Sequence, residues 1–136
     1  MAVLNWAMIG GGKGSQIGPA HRLSAAMDGA FRLTAAALDA DAAAGIAFAG
    51  ELGVAADRAY GSWQELVAGE ARRPDRPDLV TIATPNATHF PIAKALLGEG
   101  FNVLIEKPMT MTVPEGEEIV ALAAEKGAIC AVNYGY

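Results

Sequence analysis

A chain of 136 residues holds one domain with its own core and is too short for two. Its net charge of −5, with Lys and Arg spread along the chain, excludes a nucleic-acid footprint. The 52% hydrophobic share hides no run near the ~20 apolar residues of a membrane span, the start Met1-Ala2-Val3-Leu4-Asn5 lacks the basic region of a signal peptide, and the single cysteine excludes an internal disulfide. A reducing cytoplasm is the expected setting. The hydrophobic share is high for an ordinary domain; alanine explains part of it and a covered interface the rest.

Short β-type runs alternate with helical patterns. Leu4 to Ile9 reads as a first strand, and Ile17 to Met27 as a helix with Pro19 in its first turn. Phe31 to Leu38 is a second strand and Ala42 to Leu52 a second helix. Asp57 to Gly61 has room for a very short third strand. Ser62-Trp63-Gln64-Glu65 has capping-box spacing and opens a helix. Arg72 to Pro77, with Arg73 and Arg76, reads as a solvated loop. Leu79 to Ala83 is a β-branched strand; Pro91 to Leu97 lies in the next helix, and Phe101 to Ile105 is another strand. Thr112-Val113-Pro114-Glu115 repeats the capping box before a helix ending at Gly127. Ala128 to Val132 is the last strand, and Cys130 within it reads as a buried, inert thiol. Alternating strands and helices predict a parallel sheet covered on both faces.

The most informative segment is Gly10-Gly11-Gly12-Lys13-Gly14-Ser15-Gln16-Ile17-Gly18, directly after the first strand and before the first helix. Glycines there let a diphosphate approach the main chain, and the helix start offers free N–H groups. G-x-G-x-x-G fits only loosely. Gly10 and Gly12 take its first two positions, but Ser15 stands at the sixth; counting from Gly12 and Gly14 puts Ile17 there and Gly18 one residue late. The turn is lengthened. Lys13 is followed by Gly14, so it is not a Walker A loop. The candidate contacts are Gly10, Gly12, Gly14, Ser15, Gln16 and Ile17.

Asp39 closes the second strand about 20 residues beyond the turn, where an acid accepts from the adenosine ribose hydroxyls. A carboxylate there favours NAD over NADP. The alternative role, a helix cap, suits Asp41 better. Two later strand ends also carry unusual groups. Thr84-Pro85-Asn86-Ala87-Thr88-His89 borders the same cleft, although Asn86 also fits a helix cap and His89 a solvated first turn. Glu106-Lys107-Pro108 puts a charged pair where an ordinary turn would serve. Lysine suits proton transfer if its surroundings tune it, and a surface salt bridge is the equal alternative. Pro108 holds Lys107 extended and has the option of a cis bond. No Cys/His/acid cluster implies a metal.

Together these motifs resemble the Gfo/Idh/MocA family, the relatives of glucose–fructose oxidoreductase and inositol 2-dehydrogenase. Glu106-Lys107-Pro108 matches its EKP signature, and Thr84-Pro85-Asn86 with His89 matches its T-P-N-x-x-H segment. The stretched glycine turn with His21-Arg22 looks like one branch of the family, and Val132-Asn133-Tyr134 is similar to the strand leading into its second domain. The resemblance implies NAD(P)-dependent oxidation of an alcohol carbon on a sugar, cyclitol or related polyol. It implies that Lys107 touches substrate and nicotinamide ribose and assists proton transfer. It also implies that Thr84, Pro85, Asn86 and His89 line the cofactor and that Glu106, beside Pro108, meets its nicotinamide half. Residues 1–136 would form the dinucleotide-binding domain, a doubly wound (Rossmann) sheet of about six strands in order 3-2-1-4-5-6. The family's substrate and oligomerisation domain, with its further Asp and His, has no counterpart in this sequence. A non-catalytic nucleotide-binding module shares the fold and needs no lysine chemistry.

Overall fold

The computed structural model describes residues 2–135, so Met1 and Tyr136 lie outside the described residues. Its elements run β1 (Leu4–Gly10), α1 (Gly18–Ala26), β2 (Phe31–Ala37), α2 (Ala42–Glu51), α3 (Trp63–Glu70), β3 (Leu79–Ala83), α4 (His89–Gly98), β4 (Val103–Glu106), α5 (Val113–Lys126) and β5 (Cys130–Asn133). The five strands form one parallel sheet in the order β2-β1-β3-β4-β5. β1 has β2 on one side and β3 on the other. The chain therefore reverses its winding at the end of β1, and a crevice opens there, beyond the strand carboxyl ends.

Strand alternation sorts the core into two layers. Ala7 and Ile9 of β1 join Val80, Ile82, Val103 and Ile105 under α3, α4 and α5, with Leu66, Ile92, Leu96 and Ile119 from the helices. Trp6 and Met8 face the other way, with Ala36, Leu38, Ala49 and Val54. The Trp6 indole N–H is buried but satisfied, donating to Thr81 Oγ1 at 2.9 Å. A central strand buried on both faces needs no polar alternation, which is why Trp6 to Ile9 read as one apolar run.

The expected sixth strand is not formed. Residues 56–58 make a single 3-10 turn, and only Ala59 pairs with the sheet, in an isolated parallel bridge to Ala36. The predicted order 3-2-1-4-5-6 survives with its third member reduced to that bridge. Arg58 explains the change. Its guanidinium is buried and donates to both oxygens of Glu70, which is fully buried, and to Asp75. The turn sets that charge against its two acid partners.

The Thr112 capping box forms in full. At Ser62 only half of it does: Ser62 accepts from the Glu65 N–H, but the Glu65 carboxylate accepts from Gly61 instead. The Arg72–Pro77 loop is less solvated than expected. Arg73 pairs with Asp57 and Asp75, and the Arg76 guanidinium stacks 3.7 Å from the Phe101 ring. Cys130 is half-buried, and burial raises its thiol.

Candidate functional site

A cavity of about 610 Å³ occupies the crevice at the end of β1. It is lined by Gly10, Gly11, Gly12, Gly14 and Ser15 of the turn, Leu38 and Asp39 after β2, Trp63 at the start of α3, and Thr84 and Pro85 after β3. The sequence around the turn leaves little freedom in its shape. Gly10 and Gly11 sit at φ 78° and 70°, the left-handed region that side chains avoid. Close approach fixes two more glycines. A Cβ on Gly12 would lie 2.6 Å from the Leu38 carbonyl oxygen and 3.1 Å from Asp39 Oδ2, and one on Gly18 would lie 2.2 Å from the Gly11 carbonyl oxygen. Gly12 therefore lets the turn pack directly against the end of β2, a contact that any side chain would force apart. Gly18 lets α1 start against the turn, the packing role of the last glycine of the fingerprint, three residues later than the usual spacing. A Cβ on Gly14 would meet nothing within 4 Å.

Hydrogen bonds hold the turn from behind. Gly11 N–H donates to the Ala83 carbonyl at 3.1 Å, tying the ends of β1 and β3. Ser15 Oγ accepts from Gly18 N–H at 3.0 Å and keeps its own proton free to donate. Arg22 of α1 donates to the Gly11 carbonyl at 2.6 Å, while its guanidinium rests 5.2 Å from the Phe48 ring. Carbonyl and N–H of one peptide point in opposite directions. By fixing the Gly11 carbonyl, Arg22 therefore aims the Gly12 N–H the other way. Asp39 is exposed at the rim; one oxygen accepts from Asp41 N–H at 3.0 Å. Asp41, as expected, is the residue that caps α2.

The remaining predicted residues divide. Gly10, Gly12, Gly14, Ser15, Asp39, Thr84 and Pro85 line the cavity; Gln16, Ile17, Asn86, His89, Glu106, Lys107 and Pro108 do not. Asn86 is exposed on a 3-10 turn. His89 is neither solvated nor on the cavity wall. It is fully buried, its Nδ1 2.7 Å from the Pro108 carbonyl oxygen and its Nε2 2.9 Å from that of Thr84. Carbonyls only accept, so each contact is a full hydrogen bond only where the ring nitrogen carries its proton. His89 thereby ties the Thr84 strand end to the loop after Lys107, whose bond to Pro108 is cis.

Glu106 ends β4 with its carboxylate turned inward. Its Oε1 lies 2.6 Å from His21 Nε2 and accepts from the Asn133 amide at 2.6 Å. Burial by itself raises this carboxyl; the bonds from Asn133, His21 and the Lys107 backbone outweigh it and hold the group below its ordinary value. Lys107 follows, half-buried, beside this network. The motifs by themselves assign no site role to Gly11, Gly18, His21, Arg22, Trp63 or Asn133. Their roles follow from three-dimensional contacts; Gly11, Gly18, His21, Arg22 and Asn133 stand within segments that the sequence singles out, whereas Trp63 has no such signal for the site.

A parallel sheet with a glycine cradle at its switch point and an acid at the next strand end defines the Rossmann class of domain. The chain belongs to the Gfo/Idh/MocA oxidoreductases: the family model, described as an oxidoreductase family with an NAD-binding Rossmann fold, matches residues 4–134. The uncharacterized oxidoreductase YfiI of Bacillus subtilis (strain 168) is 51% identical over 134 residues, 98% of this chain and 34% of that protein. An inositol dehydrogenase homolog from Azotobacter vinelandii, crystallised with NADH and myo-inositol, superposes with a TM-score of 0.95 at 43% identity, covering 98% of this chain and 35% of that one. The scyllo-inositol 2-dehydrogenase (NADP(+)) IolW of Bacillus subtilis (strain 168) is 40% identical over 57 residues, 42% of this chain and 16% of that protein. The chain thus spans about a third of the length of YfiI and of the Azotobacter homolog. Among the described residues no helix is long and apolar enough to cross a membrane.

Proposed function

We propose that this chain is the dinucleotide-binding half of an NAD-dependent oxidoreductase that oxidises an alcohol carbon of a sugar, cyclitol or related polyol. The observation that carries the reading is the open crevice at the end of β1, lined by the main chain of the glycine turn with Asp39 at its edge. The residues present fit the cofactor. The main chain of Gly10 to Ser15 would hold the diphosphate, assisted by the Ser15 hydroxyl and the start of α1. Asp39 would accept from the adenosine ribose hydroxyls and oppose a 2′-phosphate, favouring NAD over NADP. When bound, the cofactor supplies the hydride chemistry.

The strand order supports an orientation. Asp39 stands at the end of β2 and Lys107 just past β4, on opposite sides of the glycine turn. The adenosine half would lie over β2 and the reactive half over β3 and β4. There Lys107 would take or return the proton of the substrate hydroxyl, with Thr84 and Pro85 forming the wall beside it. Glu106 serves this site from beneath, through its bonds to His21 and Asn133. Further substrate contacts and further acid–base groups would come from the part of the family's length beyond these residues, and the cytoplasm is the setting we assign.

Calorimetric titration with NADH and NADPH tests the binding. A saturable heat with NADH and a weaker one with NADPH are expected; no saturable heat with either overturns the reading. In a protein carrying the family's full length, Lys107→Ala should lower kcat by at least about a hundredfold, the usual share of a general acid–base group.

A further inference from the structure

Three elements meet at one buried carboxylate oxygen. His21 comes from α1, the helix that follows the glycine turn; Asn133 comes from the end of β5; and Glu106 itself ends β4. The His21 and Glu106 side chains are only 9% and 11% exposed. α1 packs chiefly against β2, yet through His21 it reaches the end of β4, three places along the sheet. The next residue in the chain is Lys107. Stability alone does not call for this arrangement, because well-packed apolar side chains replace a buried ionic cluster at little or no cost. What such a cluster offers is a fixed direction: two donors on one oxygen leave the strand end a single placement.

We infer that His21 and Asn133 are positioning residues for the reactive half of the site. By holding Glu106 from both sides they fix the β4 end that presents Lys107, and they link it to the helix behind the diphosphate cradle. This inference rests on the dinucleotide reading above and goes beyond it, since it assigns roles to two residues outside the cavity wall. His21 and Asn133 act through Glu106 and touch neither cofactor nor substrate.

The test compares two probes on the full chain, NADH and ADP-ribose, which lacks nicotinamide. Loss of one charge-assisted bond on the reactive side should weaken NADH about tenfold in His21→Ala and leave ADP-ribose within about twofold. His21→Gln, whose amide can reach the same oxygen, should bring NADH back to within about threefold of the parent. Asn133→Ala, at the sheet edge, should repeat the selective loss and answers the question if His21→Ala does not fold. Unchanged NADH affinity in the alanine variants overturns the inference. So does an equal loss for both probes, which marks a purely structural contact. A parent chain that binds both probes equally well also overturns it, because the nicotinamide then gains nothing from this end of the sheet. A parent chain that binds neither probe removes the dinucleotide reading and this inference with it.

Discussion

The Nδ1 of His89 lies 2.7 Å from the carbonyl oxygen of Pro108. With its Nε2 on Thr84, the ring joins two segments that the sequence shows only as separate motifs. His89→Ala empties a fully buried position and takes away the donor that the ring offers to these carbonyls, a hydrogen bond of about 1–3 kcal/mol with the lost packing of the ring added. We expect unfolding free energy to fall by about 2–4 kcal/mol in urea denaturation, once partial access of water is counted. A change under about 0.5 kcal/mol, the scale of an ordinary surface substitution, contradicts this role.

Gly12 and Gly14 separate geometry from motif. A methyl on Gly12 runs into the Leu38 carbonyl and the Asp39 carboxylate, whereas one on Gly14 meets open space. Gly12→Ala should weaken NADH at least about tenfold, the scale of overpacking a tight contact. Gly14→Ala should stay within about twofold. Parallel titrations of the two variants check this, and equal losses would mean that the cradle is not where we place it.

The architecture was legible in the sequence because its signals are local. The four-residue apolar run Trp6–Ile9, the β-branched strand Leu79–Ala83 and the Thr112–Glu115 box each report a backbone state without help from distant residues. The very short third strand for which Asp57 to Gly61 has room is reduced to the Ala59 bridge, and Arg58 beside it is held by Glu70 twelve residues away, a partner that no periodicity reveals. The site divides in the same manner. Glycine spacing and Asp39 pointed to the cleft, whereas Gly18, Arg22 and the burial of His89 and Glu106 follow from which elements the topology brings together.

Asp39 sets cofactor choice in this account. With one oxygen already taken by Asp41 N–H, the carboxylate keeps further acceptor capacity toward the cavity. Asp39→Ala should weaken NADH about tenfold through loss of charge-assisted bonds to the ribose, and should change NADPH little. The ratio of the two dissociation constants is the measurement. A variant that keeps the parent's preference shows that the carboxylate does not choose.

Glu106 makes stability depend on pH in a defined direction. Its folded carboxyl lies below the ordinary value, so the unfolded chain binds the proton more readily. The contribution is full above the usual carboxylate range and disappears as pH falls through the folded value. Urea midpoints of the parent and Glu106→Gln should therefore differ most near neutrality and converge in acid. A gap that stays constant with pH would show that the charge of Glu106 is not involved.

The central claim is the place of the diphosphate, and a crystal structure of the chain with NADH measures it directly. The account predicts phosphate oxygens against the main chain of Gly10 to Ser15, an adenosine ribose on Asp39, and the nicotinamide directed toward Thr84 and Lys107. A diphosphate bound elsewhere, or a cofactor running the opposite way with its adenine over β4, would contradict it.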